Sequence, residues 1–380
     1  MSRIDDLIAE HCPEGVEFRL LSSLGKRNKG TPITAAKMKI LALTPGPIRV
    51  FAGGQTIADV SEDAIPSKNI VRVPSIIVKS RGNIGLSYYE KPFTHKSELW
   101  SYSIDDPEVD QKFVYYYLLT QVPRLQEVAR ATSVKLPQLG VKDTDFLRIP
   151  VPPLTVQRAI VEILDNFTAL EAELEAELEA RKKQYEYYRH QMLVFGAEVQ
   201  EAPLGDLAIN LDRKRKPVTR DARTSGDIPY YGASGIVDYV SDYIFDGDYL
   251  LVSEDGANLL ARTTPIAFSI SGKTWVNNHA HVLEFATYVE RRFVEIYLNS
   301  IDLTPYISGA AQPKLNKANL NRIPIPNPSI EEKERVVEVL DKFDALVNDL
   351  SSGLPAEITA RRKQYEYYRD QLLTFKELAS

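Results

Sequence analysis

The sequence predicts an α+β protein in which two globular α/β heads alternate with two long helices that pair as an antiparallel coiled coil. Three observations carry this expectation. The chain repeats itself almost verbatim at one place, each head is followed by apolar residues spaced by threes and fours, and the heads hold short β-branched runs bounded by turn residues. Four segments follow: a first head over 1–152, a first spacer helix over 153–197, a second head over 198–326 and a second spacer helix over 327–380.

The repeat is clearest in Arg181-Lys182-Lys183-Gln184-Tyr185-Glu186-Tyr187-Tyr188-Arg189. It returns as Arg361-Arg362-Lys363-Gln364-Tyr365-Glu366-Tyr367-Tyr368-Arg369, with eight of nine positions identical at an offset of 180. Weaker echoes flank it. Phe113-Val114 answers Phe293-Val294, Leu136-Pro137-Gln138-Leu139 answers Gln312-Pro313-Lys314-Leu315, and Ile163-Leu164-Asp165-Asn166-Phe167 answers Val339-Leu340-Asp341-Lys342-Phe343. The helix sequences stay alike while the heads diverge.

Inside the heads, Ile76-Ile77-Val78 and Tyr249-Leu250-Leu251-Val252 have the look of strands. Ile149-Pro150-Val151-Pro152 and Ile323-Pro324-Ile325-Pro326 disfavour helix and predict stiff extended connectors. Beyond the first connector, Val156, Ile160, Ile163, Phe167, Leu170, Leu174 and Leu178 lead on to Tyr185 and Tyr188. Steps of three and four define a narrow coiled-coil seam. A helix over 155–195 would be roughly 60 Å long. The second seam runs through Phe343, Leu346, Leu350, Tyr365 and Tyr368, with four residues inserted around Ser351-Ser352-Gly353-Leu354-Pro355. Four residues are close to one turn, so the seam nearly keeps its face, while Gly353 and Pro355 predict a break.

The chain has 380 residues, 44% of them hydrophobic and 26% charged, which suits two or more folded units and excludes disorder. No apolar run approaches the length of a membrane span, and Met1–Asp6 lacks the layout of an export signal. Cys12, the single cysteine, cannot form an internal disulfide, so a reducing cytoplasm is the expected location. One cysteine and five histidines make a cysteine-rich zinc site unexpected. The net charge of −6 lies on the helices, and the two heads together are neutral. Nucleic-acid binding must therefore be local. Arg213, Lys214, Arg215, Lys216, Arg220 and Arg223 crowd one stretch of the second head, and Lys26, Arg27, Lys29, Lys79 and Arg81 mark the first. Solvated surface loops would explain such runs equally well until a family resemblance is added.

Catalytic signatures are absent: there is no phosphate loop, no Gly-x-Ser-x-Gly elbow and no His-Glu-x-x-His. His279-Ala280-His281 is a tempting metal pair, because alternate residues of a strand share a face, yet no further ligands complete it in sequence. Ser253-Glu254-Asp255-Gly256 reads as a turn. Tyr185 and Tyr188 fall on the helix seam, which favours packing over base stacking. No catalytic and no metal-binding residue is expected.

A head, an Ile-Pro-x-Pro connector and a long helix, written twice, resembles the specificity (S) subunit of type I restriction-modification systems. Ile228-Pro229-Tyr230-Tyr231-Gly232-Ala233-Ser234-Gly235, Trp275-Val276-Asn277-Asn278-His279-Ala280-His281 and Gly309-Ala310-Ala311-Gln312-Pro313-Lys314-Leu315 are similar to that family's target-recognition domain. The helix opener Pro152-Pro153-Leu154-Thr155-Val156-Gln157 and the helix ends Gln191-Met192-Leu193 and Gln371-Leu372-Leu373 are similar too. In the first head, Phe51-Ala52-Gly53-Gly54 matches only loosely.

The resemblance implies that each head reads one half of a bipartite site in double-stranded DNA. It also implies that the helices set the spacing and dock two methylation (M) subunits, joined by two restriction (R) subunits where the system has them. No cofactor is expected in this chain; S-adenosylmethionine belongs to the methylation subunit, and ATP with Mg to the restriction subunit. Candidate DNA contacts are Arg27, Lys29, Arg81 and Asn83 in the first head, and Arg213, Lys214, Arg215, Lys216 and Asn258 in the second. Candidates for helix pairing and partner docking are Phe167, Leu170, Leu174, Tyr185, Tyr188, Phe343, Leu346, Leu350, Tyr365 and Tyr368. Two other classes stand beside this reading. One is a protein-interaction adaptor without DNA binding, which would show salt-insensitive partner binding and no footprint; the other is an enzyme acting alone on DNA, which would turn over as a single chain.

Overall fold

The computed structural model describes residues 3–54, 56–132, 135–309 and 312–379. They form two compact units, Met1–Leu174 with Ile358–Ser380, and Glu175–Glu357. Each unit contains one head, the first part of the helix that follows that head, and the last part of the helix that follows the other.

The two heads share one topology. The first has an antiparallel sheet of strands Gly25–Lys29, Trp100–Ile104, Ser75–Lys79 and Gly85–Tyr89, in that order. The second has Ile209–Asn210, Ala280–Glu284, Tyr249–Ser253 and Ala267–Ile270 in the corresponding places. The β-branched runs read from the sequence are the central strands, and Ile76, Ile77, Leu250, Leu251 and Val252 are fully buried. Each head adds a second sheet, three-stranded in the first head and four-stranded in the second. An inner strand (Ile48–Phe51 or Ser225–Gly232) pairs antiparallel with a hairpin partner and parallel with a later strand. The loosely matching Phe51–Gly54 segment thus leads out of the strand that corresponds to Ser225–Gly232 of the second head.

The proline connectors are extended, as expected, but each is also paired. Arg148–Val151 lies antiparallel to Glu17–Leu20, and Pro324–Pro326 to Glu201–Pro203. Two-stranded ribbons tolerate proline because each strand has an unpaired edge. The helix that follows is anchored by a buried polar residue at equivalent positions. Gln157 donates to the Pro152 carbonyl at 2.6 Å and accepts from the Asp110 N–H at 2.7 Å. Lys333 donates to the Asn327 side chain at 2.6 Å.

The first spacer helix, Leu154–Met192, is unbroken over 39 residues. The second is split into Ile330–Asn348 and Leu354–Leu372 at the inserted residues. The Asp349 carboxylate accepts hydrogen bonds from the Ser351 N–H and hydroxyl, which hold its pKa down at about 2. Gly353 packs so closely that a Cβ would lie 2.4 Å from the Ala345 carbonyl oxygen. Pro355 falls in the first turn of the following helix, where no intrahelical N–H is required.

Helix pairing takes the same form in both units. Leu164 and Leu340 are fully buried. The next residue takes a cation and a phenol from the head. Asp165 accepts from Lys112 Nζ at 2.8 Å and Tyr116 at 2.6 Å; Asp341 accepts from Arg292 Nε at 2.6 Å and Tyr288 at 2.7 Å. Two residues on, Phe167 stacks on Tyr368 at 5.7 Å with Tyr365 at 6.3 Å, and Phe343 stacks on Tyr188 at 5.4 Å with Tyr185 at 6.4 Å. Glu171 then meets Arg362 at 2.5 Å, so this pair runs antiparallel. Past the helix ends, Phe375 packs on Phe113 and Phe195 on Phe293.

The seam expectation needs one correction. Leu350 lies beyond the end of its helix and is 82% exposed, because the inserted turn carries it out of the apolar stripe. Leu174 is half-buried, whereas Leu170 and Leu346 are exposed at 36% and 38%. Accordingly, Phe343→Ala should cost about 2–4 kcal/mol in denaturant unfolding of the chain, from lost burial and lost ring stacking. Leu350→Ala should change it by less than about 0.5 kcal/mol.

Candidate nucleic-acid interface

The basic stretch of the second head begins as the chain leaves the edge strand Ile209–Asn210. A 3₁₀ turn over Asp212–Lys214 sends its side chains in different directions, and the structure divides the cations accordingly. Arg215 turns inward, with a side chain only 12% exposed. It donates to Glu254 at 2.7 Å and to the Ala280 carbonyl at 2.7 Å, and lies 3.4 Å from Asp212. Arg223 lies over the Tyr230 ring at 4.3 Å and pairs with Asp238 at 2.9 Å. Arg213, Lys214, Lys216 and Arg220 are exposed, and among the described residues none of their side chains has an ion-pair partner.

The backbone carrying these four cations is tied down repeatedly. Trp275 Nε1 donates to the Lys216 carbonyl at 2.6 Å, and the Val218 N–H donates to the Tyr230 hydroxyl at 3.0 Å. At the root of the loop sits a buried clasp. His281 donates from Nε2 to the Leu315 carbonyl at 2.7 Å, while its Nδ1 faces Asp212 Oδ2 at 2.6 Å. The ring thus bridges the Leu315 carbonyl on one side and the Asp212 carboxylate on the other. Asp212 also accepts from the Val282 N–H at 3.0 Å, and Glu254 takes Lys314 at 3.1 Å besides Arg215.

Burial alone would push the Asp212 carboxyl up, but the hydrogen bond and charge of His281 outweigh it and hold it below the usual range. Glu254 shows the same balance, with Arg215 the main opposing group. The ligand-type atoms of Asp212, Glu254 and His281 lie within 4.8 Å of one another. Each already has hydrogen-bond partners, and a guanidinium stands beside them, so the cluster is a clasp and does not fit a cation. His279 takes no part: it precedes the strand and bonds Asp255 instead, so the two histidines do not share a face.

In the first head, Arg27 and Lys29 lie on the edge strand Gly25–Lys29 and, with Lys26, Lys68, Arg72 and Lys112, line a cleft of about 980 Å³. Arg72 pairs with Glu62 and Lys112 with Asp165, and Arg27 is 3.8 Å from Asp145. Lys26, Lys29 and Lys68 have no side-chain partner among the described residues. Arg81 and Asn83 are exposed and stand apart from this cleft, on the turn after Ser75–Lys79. That strand and Gly25–Lys29 both end opposite Trp100, since Lys29 and Val78 each pair with it. The cationic strand and the turn thus share one end of the sheet. The second head repeats the arrangement, with Asp212 and Glu254 meeting at His281.

Two sequence expectations are corrected. Arg215 is buried in an ion-pair network and cannot reach a base. Asn258 closes its own loop, accepting from the Thr263 hydroxyl at 3.0 Å and the Thr264 N–H at 3.1 Å and donating to the Thr264 carbonyl at 2.9 Å. Lys68 was missed, having no basic neighbours in sequence. Ala310 and Ala311 of the Gly309–Leu315 motif lie outside the described residues.

The family model described as the type I restriction modification DNA specificity domain matches twice, over residues 13–180 and 197–360. The chain belongs to this family. The Escherichia coli type I restriction enzyme EcoR124I/EcoR124II specificity subunit is 31% identical over 72% of this chain and 73% of its own length. A Haemophilus influenzae chain that carries the name of a type I restriction enzyme specificity subunit, S.HindORF215P, is 40% identical over 49% of each. The chain therefore spans about half the length of that relative. The S subunit of a type I restriction-modification system from M. genitalium shares the fold, with a TM-score of 0.63 at 18% identity over 94% of this chain and 96% of that one. DNA sequence specificity is the role the family description assigns to both repeats. Among the described residues no helix is long and apolar enough to cross a membrane.

The clasp predicts an acid-labile second head. Asp212 and Glu254 ionise at lower pH in the folded head than in the unfolded chain. The stability they contribute is fully present above the unfolded carboxylate range, about pH 4, and is lost as pH falls through their lower folded values. Melting temperatures of Asp212→Asn and the native chain should differ most above the unfolded carboxylate range and converge as pH falls through the lower folded values.

Proposed function

We propose that this specificity subunit reads a bipartite sequence in double-stranded DNA, one half-site per head, and performs no chemistry itself. The observation that carries this reading is the outward-facing set of unpaired cations on backbone that is pinned in place. Such groups neutralise phosphates at fixed positions and set the register of a duplex against the head. The two heads have one topology and different surface residues, which suits two different half-sites; a symmetric dimer of one reader would demand a palindrome. Methyl transfer then belongs to methylation subunits carrying S-adenosylmethionine. ATP-driven translocation and cleavage belong to restriction subunits with ATP and Mg, where the system has them. The cytoplasm is the compartment this assignment calls for.

The helices supply the docking surface. Leu170 and Tyr367 are exposed on the helix pair of one unit, and Leu346 and Tyr187 at the equivalent positions of the other. Two like patches suit two copies of one partner, which is the reading for two methylation subunits. At ~1.5 Å per residue, the 39-residue first helix is roughly 58 Å long, long enough to act as a spacer between half-sites.

Arg213→Ala, Lys214→Ala and Lys216→Ala, each assembled with the methylation subunits, should weaken binding to all duplexes alike. Each should lower the slope of log affinity against log salt by about one. An unchanged slope for all three would remove them from the interface. Leu170→Glu and Leu346→Glu should leave the melting temperature of the chain nearly unchanged, as exposed positions do, while abolishing co-purification with the methylation subunit.

A further inference from the structure

Each head carries one turn whose backbone is the same and whose side chains are opposite in chemistry. In the first head, the Gly82 N–H donates to the Pro137 carbonyl at 2.9 Å and the Leu139 N–H to the Ser80 carbonyl at 2.8 Å, so that Arg81 bridges Gln138. In the second, the Gly256 N–H donates to the Pro313 carbonyl at 3.1 Å and the Leu315 N–H to the Glu254 carbonyl at 2.8 Å, so that Asp255 bridges Lys314. Both glycines have a positive φ, +77° and +106°, which glycine alone adopts without strain. The second head's turn sits at the sheet end where the cationic segment emerges; in the first head the turn shares its end of the sheet with Lys29, and Lys26 and Arg27 pair further along the strand.

On this shared frame the first head presents Arg81, Asn83 and Gln138, all exposed, with no side-chain partner among the described residues. The second presents Asp255, whose carboxylate is met, among the described residues, only by His279 Nδ1, at 2.8 and 2.9 Å. Both side chains are open to solvent, at 32% and 51%. A carboxylate beside a ridge of phosphate-binding cations is repelled by the DNA backbone. It is useful there only against a hydrogen-bond donor on a base edge. The donors in the major groove are the amino groups of cytosine and adenine, whereas an arginine selects the two acceptors of guanine.

We propose that these turns are the base-reading elements of the two heads, with Asp255, oriented by His279, accepting from a cytosine or adenine amino group and Arg81 donating to a guanine. The inference rests on the heads binding DNA as described above. It assigns a role to Asp255 and His279, the members of the Ser253–Gly256 and Asn277–His281 motifs that the clasp leaves out. Lys314 stays bound to Glu254 and serves the frame.

The test expresses the chain with its methylation subunit in a methylation-free host and maps the methylated motif. Asp255→Asn should make one position of one half-site degenerate and leave the other half-site intact; Arg81→Gln should do the reverse. A base contact of this type discriminates by roughly 5- to 150-fold, so a formerly excluded base should become common at that position. His279→Gln, which removes only the orienting partner, should relax the same position as Asp255→Asn, and less strongly. A wild-type complex that methylates without any sequence motif would sink the DNA-reading assignment along with the inference. A clear wild-type motif that Asp255→Asn and Arg81→Gln leave unaltered, or merely methylate more weakly throughout, would overturn the inference alone.

Discussion

The register between a head and its helix is the constraint on which the rest of the molecule depends. Within four residues, Leu340 is buried, Asp341 takes an arginine and a tyrosine from the head, and Phe343 stacks on Tyr188. Leu164, Asp165 and Phe167 do the same in the other unit. The leucine supplies apolar burial, the aspartate fixes rotation because a half-buried carboxylate needs its partners, and the phenylalanine selects the paired helix. Because the stacking tyrosines come from the other sequence repeat, neither unit completes its apolar stripe with its own repeat alone. This explains why the helix sequences have stayed alike while the heads have not: the Arg-x-Lys-Gln-Tyr-Glu-Tyr-Tyr-Arg segment of each copy must fit the phenylalanine of the other.

With the scaffold fixed, the heads are free to differ at their ends. The pinned loop in the second head costs buried polar groups that a simple sheet would not need, and Asp212, Glu254, Arg215 and His281 satisfy one another there. Such a network is strongly weakened when one member is lost, since a buried charge is left unpaired. What it maintains is the direction of Arg213, Lys214 and Lys216. Holding cations on rigid backbone reduces the ordering needed when a duplex arrives.

Much of this was legible in the sequence, and the parts that were not have identifiable reasons. The repeat, the helix seams, the central strands and the break near Gly353 follow from periodicity and from glycine and proline chemistry, which are local. The inward turn of Arg215 is not local: it depends on Glu254 and on the Ala280 carbonyl, brought close by strand order. Likewise His281 reads as an ordinary polar core residue, while its partners Asp212 and Leu315 lie far away in the chain. Leu350 was placed on the seam by spacing alone, although the insertion beside it ends the helix two residues earlier. The family resemblance supplied the partners and the DNA, which composition and spacing did not.

The claim at the centre of this account is that one chain, built twice on one scaffold, directs modification to two unlike half-sites. Mapping methylated adenines across the genome of the source organism, with and without this gene, tests it most directly. The account predicts loss of methylation at a single interrupted, asymmetric motif. Methylation unchanged at every site, or lost at an uninterrupted palindrome, would contradict it.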